Sequence, residues 1–401
     1  MPKGVVAQDD LFRKCYEFSR DTEAVEAGLY PFFKVIDGNF GNHVVIDGQE
    51  VVMAGSNNYL GLTRHPKVVE AANAATSKFG SSCSGSRYAN GTYCLHVELE
   101  EKLAAWMGRE RALCFTTGYL ANQGAISVLA GRHDVIYSDK ENHACIVDAT
   151  RLSFAKIKRF AHADMDDLER QIADTEDEAG KLIVTDGVFS MRGTIADIPR
   201  MVEMKKKYGA RIYIDDAHGL GVLGAGGRGT AEHFGLHEDV DVVMGTFSKS
   251  LAGLGGFVVG DDRVISYIKH NAPQIIFAAS MTPAATAAVI TVLDLIQNEP
   301  EHIENLRKVS KKARDGFRSI GFEVPEGLTP IIYTRVGDDH AAFSFWKDLL
   351  KEGIYTNPVV TPGVPQDWSG VRSSYMSTHD DSDIDRVVSV FEKLGKKYGL
   401  I

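Results

Sequence analysis

A lysine set among hydroxyls is the residue in this chain best placed to do chemistry. In Thr246-Phe247-Ser248-Lys249-Ser250 the amine follows an apolar run and precedes Gly253, Gly255 and Gly256. A lysine that attacks an aldehyde must be partly desolvated, with its pKa lowered by its surroundings. The Thr246 and Ser248 hydroxyls can donate to a phosphate, and the glycines let backbone approach a flat ring. A second cluster is Arg211-Ile212-Tyr213-Ile214-Asp215-Asp216-Ala217-His218. Asp215 ends an apolar strand pattern, where an unpaired carboxylate is costly. A protonated ring nitrogen offsets that cost and keeps a heteroaromatic ring an electron sink for carbanion chemistry. An aspartate capping the next turn is the plainer reading, but it leaves Asp-Asp-x-His at one strand end unexplained.

Four further pieces sit just past strand patterns. Thr117-Gly118-Tyr119 opens a helix, and a helix N-terminus with free N–H groups is a phosphate site. The imidazole in Asn142-His143-Ala144 can stack on a planar group. Ser190, in Asp186-Gly187-Val188-Phe189-Ser190, can hydrogen-bond a phenolic oxygen. Arg372, in Val371-Arg372-Ser373-Ser374, can fork onto a carboxylate. Each has a bland alternative (a plain turn, a structural histidine, a surface arginine), and their order and shared position at strand ends argue for the functional one. Gly219-x-Gly221-x-x-Gly224 matches a dinucleotide-binding fingerprint. Its continuation, Gly224-Ala225-Gly226-Gly227-Arg228-Gly229, cannot open the helix that would receive a pyrophosphate, so the match is read as coincidence.

The elements that must hold these residues form an α/β pattern. Between residues 56 and 290, strand candidates at 112–116, 135–138, 157–160, 182–186, 211–215, 242–246 and 256–259 alternate with helical patterns such as 95–107, 119–129 and 198–208. Continuous apolar strands alternating with helices predict a mostly parallel seven-stranded sheet buried on both faces. A ligand then belongs beyond the strands' carboxyl ends. Residues 291–401 read as a smaller α+β domain, with helices at 301–319, 340–352 and 383–398, the last capped by Ser382, and strands at 322–324, 331–335 and 371–375. Residues 1–55 read as an N-terminal extension with a helix-like start at 11–20 and two strands, 42–46 and 50–54, hinged at Asp47-Gly48.

At 401 residues the chain exceeds the roughly 250–300 at which single cores stop growing. A net charge of −10 argues against a nucleic-acid partner. Five scattered cysteines without a C-x-x-C pair read as reduced thiols, and His143 and Cys145 lack a second ligand pair, so no metal is expected. The N-terminus has no apolar leader. The longest apolar run, 284–293, is about half a membrane span. The expectation is a cytoplasmic protein, with peripheral contact at the inner membrane face left open.

The chain resembles the α-oxoamine synthase family of fold-type I pyridoxal 5′-phosphate (PLP) enzymes over nearly its whole length. The resemblance is carried by Ser56-Asn57-Asn58-Tyr59-Leu60-Gly61-Leu62, Gly85-Ser86-Arg87, Asn142-His143-Ala144, Asp186 to Met191, Asp215-Asp216-Ala217-His218 and Thr246-Phe247-Ser248-Lys249. It implies that Lys249 carries the cofactor covalently and acts as acid and base, that Asp215 faces the pyridine nitrogen, and that His143 stacks on the ring. His218 and Ser190 would lie near the phenolic oxygen, and Gly118, Tyr119, Thr246 and Ser248 around the phosphate. Arg372 would hold the substrate carboxylate. Asn58 and Ser280 are similar to positions that reach the active site, Ser280 across the interface of a homodimer.

The stretches 90–100, 52–59 and 372–379 are most similar to family members that condense L-serine with a long-chain acyl thioester such as palmitoyl-CoA. Such members give 3-oxosphinganine, CO2 and CoA, the first step of sphingolipid synthesis. Relatives using alanine or glycine, with 8-amino-7-oxononanoate synthase foremost, and PLP aminotransferases are the rival readings. Two departures bear on substrate placement: Ser82 stands where many relatives have glycine, and Thr361-Pro362-Gly363-Val364-Pro365 replaces a Pro-Pro-Ala type of loop.

Overall fold

Seven strands form the central sheet, in the order Arg111–Phe115, Gly256–Gly260, Val242–Thr246, Arg211–Asp215, Gly180–Asp186, Asp134–Asp139, Lys156–Phe160. Gly256–Gly260 runs antiparallel to both its neighbours, and the remaining pairings are parallel. The structure is a computed structural model describing residues 9–365 and 367–401. Residues 1–8, on which the expectation of no leader rests, lie outside the described residues.

The apolar strand runs are explained by burial on both faces. Ile212 and Ile214 pack into one core cluster with Ile183 and Val243, while Tyr213 between them points into a second cluster with Val184 and Met244. Because side chains alternate along a strand, a strand covered on both faces has no position for a polar residue until its end. Polar groups therefore collect at the carboxyl ends, where Asp186 and Asp215 stand opposite each other in register.

Helix boundaries follow local chemistry. Ile198–Tyr208 has Asp197 as an accepting cap, proline in its first turn and Gly209 in the left-handed conformation at its end. The C-terminal helix runs Asp381–Tyr398, and its cap is Asp380, whose carboxylate accepts the Asp383 N–H. Ser382, the expected cap, lies inside the first turn because Asp380 offers the stronger, charged acceptor two residues earlier. The expected strand at 322–324 does not form. Phe322 and Val324 are buried in an apolar cluster without entering a ladder. Side-chain burial was the signal, and no neighbouring strand was there to pair with it.

A three-stranded antiparallel sheet of Ile331–Gly337, Ser369–Ser374 and Asn357–Val359 carries Arg372. It packs beside the cluster of Phe317, Phe345, Trp346 and Phe391. The hairpin His43–Ile46 and Gln49–Met53 turns at Asp47 and Gly48, both at positive φ. Its second strand pairs in parallel with Ile354–Tyr355, tying residues near the N-terminus to the C-terminal part of the chain. Short helices at Arg13–Tyr16 and Arg20–Glu26 precede the hairpin, in place of one helix over 11–20.

Candidate active site

A cavity of about 250 Å³ opens at the carboxyl ends of the central strands. It is lined by Gly118, Tyr119, His143, Asp215, His218, Thr246, Ser248 and Lys249, with Thr117, Cys145, Asp186, Ala217 and Met244. Eight of the anticipated residues thus converge from four separate strand ends. A larger cavity of about 680 Å³ lies elsewhere, between the helix Glu301–Ser319 and the loop at Val222–Ala225. Its cations are occupied: Lys311 by Asp315, Arg318 by Glu326, and Arg307 and Arg314 by backbone carbonyls. The smaller cavity holds the chemistry.

Lys249 follows the Val242–Thr246 strand. It is half-buried by area because it faces the cavity, yet enough protein surrounds its amine to lower its pKa to about 8; desolvation is the main cause, opposed by the Asp215 and Asp186 carboxylates. Asp215 is 3% exposed, and no cation among the described residues lies within ion-pair distance of it. Its Oδ1 accepts the Ala217 N–H at 3.0 Å and its Oδ2 the Asn122 amide at 2.6 Å. Asp186 is held well above the usual carboxylate range by burial and then by the neighbouring Asp215. It accepts the backbone N–H of His143 at 2.7 Å, and Asn142 spans to Val184 O at 2.8 Å. These two bonds fix the stacking candidate His143 against the strand end.

From His218 in the cavity lining a chain of hydrogen bonds runs outward to Arg372. Arg372 Nη2 donates to Tyr59 Oη at 3.1 Å, and Tyr59 Oη lies 2.6 Å from His218 Nδ1. Burial first, then the cations of Lys249, Arg372 and His143, push the His218 pKa well down, so its ring is neutral. The Tyr59 hydroxyl also reaches Asn57 Oδ1 at 3.3 Å, so its single hydrogen is shared between that amide oxygen and the His218 ring. Arg372 is 6% exposed and also donates to Ser190 O at 2.6 Å and Asn57 Oδ1 at 2.9 Å. No carboxylate among the described residues pairs with it, so a buried cation stands ready for an anion.

Thr117 caps the helix Gly118–Leu129 by accepting the Leu120 N–H, and the Gly118 and Tyr119 N–H groups, first in the helix, have no intrahelical acceptor. A Cβ on Gly118 would lie 2.9 Å from Met244 Cε and from Thr246 Cβ and Oγ1. Glycine is what lets the helix start come down beside Thr246 and Ser248, whose hydroxyls are 2.9 Å apart. The Tyr119 hydroxyl donates to Asp148, which pushes its pKa up to about 12.

Four anticipated residues are not in the lining of this cavity, Arg372 among them, which reaches it only through Tyr59 and His218. Ser190 meets Arg372 through its backbone carbonyl. Asn58 donates to Thr63 at 2.9 Å with its Oδ1 buried and unpartnered, and it is the adjacent Asn57 that touches Arg372. Ser280 donates its N–H to Gly85 O and lines a separate small cavity with Arg87 and His96, its Oγ also buried without a partner. Gly253 and Gly256 serve internal packing instead of a ring: Cβ atoms there would meet Val289 and the Gly118 backbone. The fingerprint glycines likewise surround the protein's own carboxylates, with Asp216 against Gly219 and Gly229, and Glu232 accepting from Gly226 N and Arg228 N. Tyr59, Asn57, Asn122 and Cys145 were not anticipated as site residues. Tyr59 and Asn57 stand in the stretch that carried the family resemblance, whereas Asn122 and Cys145 gave no motif.

The residues fit PLP: free N–H groups and two hydroxyls suit its phosphate, a buried carboxylate without a cation suits its ring nitrogen, and a lysine of lowered pKa suits its aldehyde. A mostly parallel sheet with these groups at its carboxyl edge defines a fold-type I PLP enzyme. In agreement, residues 49–391 match the model of the class I and II aminotransferases, and the chain belongs to that family, within its α-oxoamine synthases. It is similar to the serine palmitoyltransferase of Sphingobacterium spiritivorum, 45% identical over 98% of both chains. It is also similar to the 8-amino-7-oxononanoate synthase of Geobacter sulfurreducens, 42% identical over 94% of this chain and 97% of the relative. Among solved structures, a serine palmitoyltransferase variant from S. paucimobilis with a bound PLP–myriocin aldimine superposes with a TM-score of 0.94 at 33% identity, covering 98% of this chain and all of that one.

Proposed function

We propose that this protein is a PLP-dependent acyltransferase that condenses L-serine with a long-chain acyl thioester, releasing CO2 and CoA to give 3-oxosphinganine. One observation carries the reading: a lysine of lowered pKa and a buried carboxylate share a cavity, and His218 in its lining is linked through Tyr59 to a buried arginine that no carboxylate among the described residues pairs with. When bound, PLP supplies an aldehyde for covalent capture of the amino acid and a ring that accepts electrons from its α-carbon.

The chain's own residues do the rest. The Arg372 guanidinium grips the serine carboxylate and fixes the amino acid's orientation. Lys249 takes the α-proton, which its lowered pKa permits near neutrality. The α-carbon attacks the thioester carbonyl and expels the thiolate of CoA. The carboxylate then leaves as CO2, and a proton is returned to the α-carbon. Asp215 would face the ring nitrogen, His143 would cover the ring, and neutral His218 would lie near the phenolic oxygen. Gly118, Tyr119, Thr246 and Ser248 hold the phosphate.

The protein is further read as a homodimer. Asn58 Oδ1 and Ser280 Oγ are buried without partners, and Phe277, close to Ser280, is 82% exposed, which supports a second copy covering this face. Division into residues 1–55, 56–290 and 291–401 belongs to the same reading, as does a cytoplasmic location. No helix among the described residues is long and apolar enough to cross a membrane.

The test is a matrix of serine, alanine and glycine against short and long acyl-CoAs, scored by thiol release. Serine with palmitoyl-CoA should dominate. Turnover confined to alanine would reassign the chain to the 8-amino-7-oxononanoate synthases, and amino-group transfer without thiol release would make it an aminotransferase. Sedimentation at micromolar concentration checks the dimer, and a monomer active alone would refute it.

A further inference from the structure

Asp215 is held by a second layer of side chains. Asn122 stands one turn into the helix that begins at Gly118 and is fully buried. Its Nδ2 donates to Asp215 Oδ2 at 2.6 Å and lies 3.0 Å from Cys145 Sγ, while the Tyr213 hydroxyl donates to its Oδ1 at 2.8 Å. The orientation of this amide is forced. An ionised carboxylate only accepts, so the nitrogen must face Asp215, and the oxygen is left to take the phenol's hydrogen. Tyr213 lies two residues before Asp215 on the same strand, so both side chains project from one face of the sheet toward the helix.

The bond to Asp215 is shorter than an ordinary N–H···O contact, as charge-assisted bonds are. A donor so placed stabilises a charged carboxylate against the desolvation that burial imposes. With Ala217 N–H bonded to Oδ1 at 3.0 Å and the Cys145 thiol a longer donor to Oδ2 at 3.7 Å, Asn122 and Ala217 hold one oxygen each and set the plane of the carboxylate. Asn122 also joins it to the helix whose first turn lines the cavity, so one element would bear on both the carboxylate and the N–H groups offered to a phosphate.

We propose that Asn122, oriented by Tyr213, is a positioning residue for the reaction, holding the Asp215 carboxylate toward the ring nitrogen of the bound cofactor. The inference rests on the PLP site proposed above and goes beyond it in assigning a role to two residues outside the cavity lining. A purely structural role would have the two buried polar groups satisfy each other and affect folding alone.

The test compares wild type with Asn122→Ala, Tyr213→Phe and the double variant, each stripped of cofactor and titrated with PLP by visible absorbance. Asn122→Ala should weaken PLP binding about tenfold and, at saturating PLP, lower kcat about tenfold, as loss of one charge-assisted hydrogen bond implies. KM for serine should stay within about threefold, because Arg372 is untouched. Tyr213→Phe should move both quantities the same way by less. The double variant should be no worse than Asn122→Ala, because the hydroxyl acts only through the amide. Unchanged PLP affinity and kcat alongside earlier unfolding of the apoprotein would overturn the proposal, as would losses that multiply in the double variant. If Asn122→Ala does not fold, Tyr213→Phe, which removes a single oxygen, decides. A wild type that binds no PLP would instead refute the function itself.

Discussion

Replacing Arg372 by lysine tests the substrate site most directly. A guanidinium has five N–H donors. Four bonds are in place: Nε to Ser190 O at 2.6 Å, Nη2 to Asn57 Oδ1 at 2.9 Å and to Tyr59 Oη at 3.1 Å, and Nη1 to Ser374 Oγ at a long 3.4 Å. The Nη1 edge therefore remains for the substrate carboxylate, with one unbonded hydrogen and one weakly used. A charged hydrogen bond of this kind contributes about 1.5–3 kcal/mol, equivalent to roughly 10- to 150-fold in affinity. Lysine keeps the charge but cannot hold the Ser190 carbonyl, Asn57 and Tyr59 while also reaching the carboxylate. Steady-state thiol release against serine concentration, at saturating acyl-CoA, should show KM for serine raised by that factor. KM for the thioester and the PLP content should hold. An Arg372→Lys protein whose KM for serine stays within twofold would refute the assignment of the carboxylate anchor.

Three further outcomes follow from the same geometry. Burial disfavours the Lys249 ammonium, so the free amine that captures PLP appears as pH rises through about 8, below the ordinary lysine value. Stopped-flow absorbance on the apoprotein should show the capture rate climbing with that midpoint, and Lys249→Ala should show neither band nor turnover; a midpoint above pH 10 would contradict the desolvated site. Gly118→Ala places a methyl 2.9 Å from Met244 and Thr246, so it should weaken PLP binding tenfold or more and cost about 1–3 kcal/mol of stability by overpacking, read from PLP titration and urea unfolding. Phe391, with ring centroids 4.6 Å from Phe317 and 5.7 Å from Phe345, should cost about 3–5 kcal/mol on truncation to alanine, and urea curves showing under 1 kcal/mol would mean that this cluster is not the core of the C-terminal layer.

Where a residue's role is fixed by its own strand, the sequence was enough. The apolar runs before Asp186, Asp215 and Thr246 are strands because burial on both faces excludes polar residues, and the same exclusion announces the strand end where chemistry begins. Roles fixed by a distant partner stayed hidden. Tyr59 lies 159 positions from His218 and 313 from Arg372, and no local pattern marks its hydroxyl as the link between them. Asn122 sits within an apolar helix and reads as a flaw in its buried face until Asp215 comes into contact with it. Ser190 shows the reverse limit. Its place just past a strand was legible, but whether side chain or carbonyl does the bonding depends on an arginine 182 residues away.

The perturbed groups of this site are perturbed by one another. Asp186 and Asp215 end adjacent parallel strands in register, so forming the sheet brings two buried carboxylates side by side. Lys249 arrives from the next strand and relieves them in part, while its own ammonium is disfavoured by the same burial. Arg372 enters from the smaller sheet without a counter-charge and helps keep His218 neutral. Strand order thus gathers two buried carboxyl groups and a lysine at one cavity, with a buried arginine close behind it. The register of two adjacent strands is what brings these ionisable groups to one place in the fold.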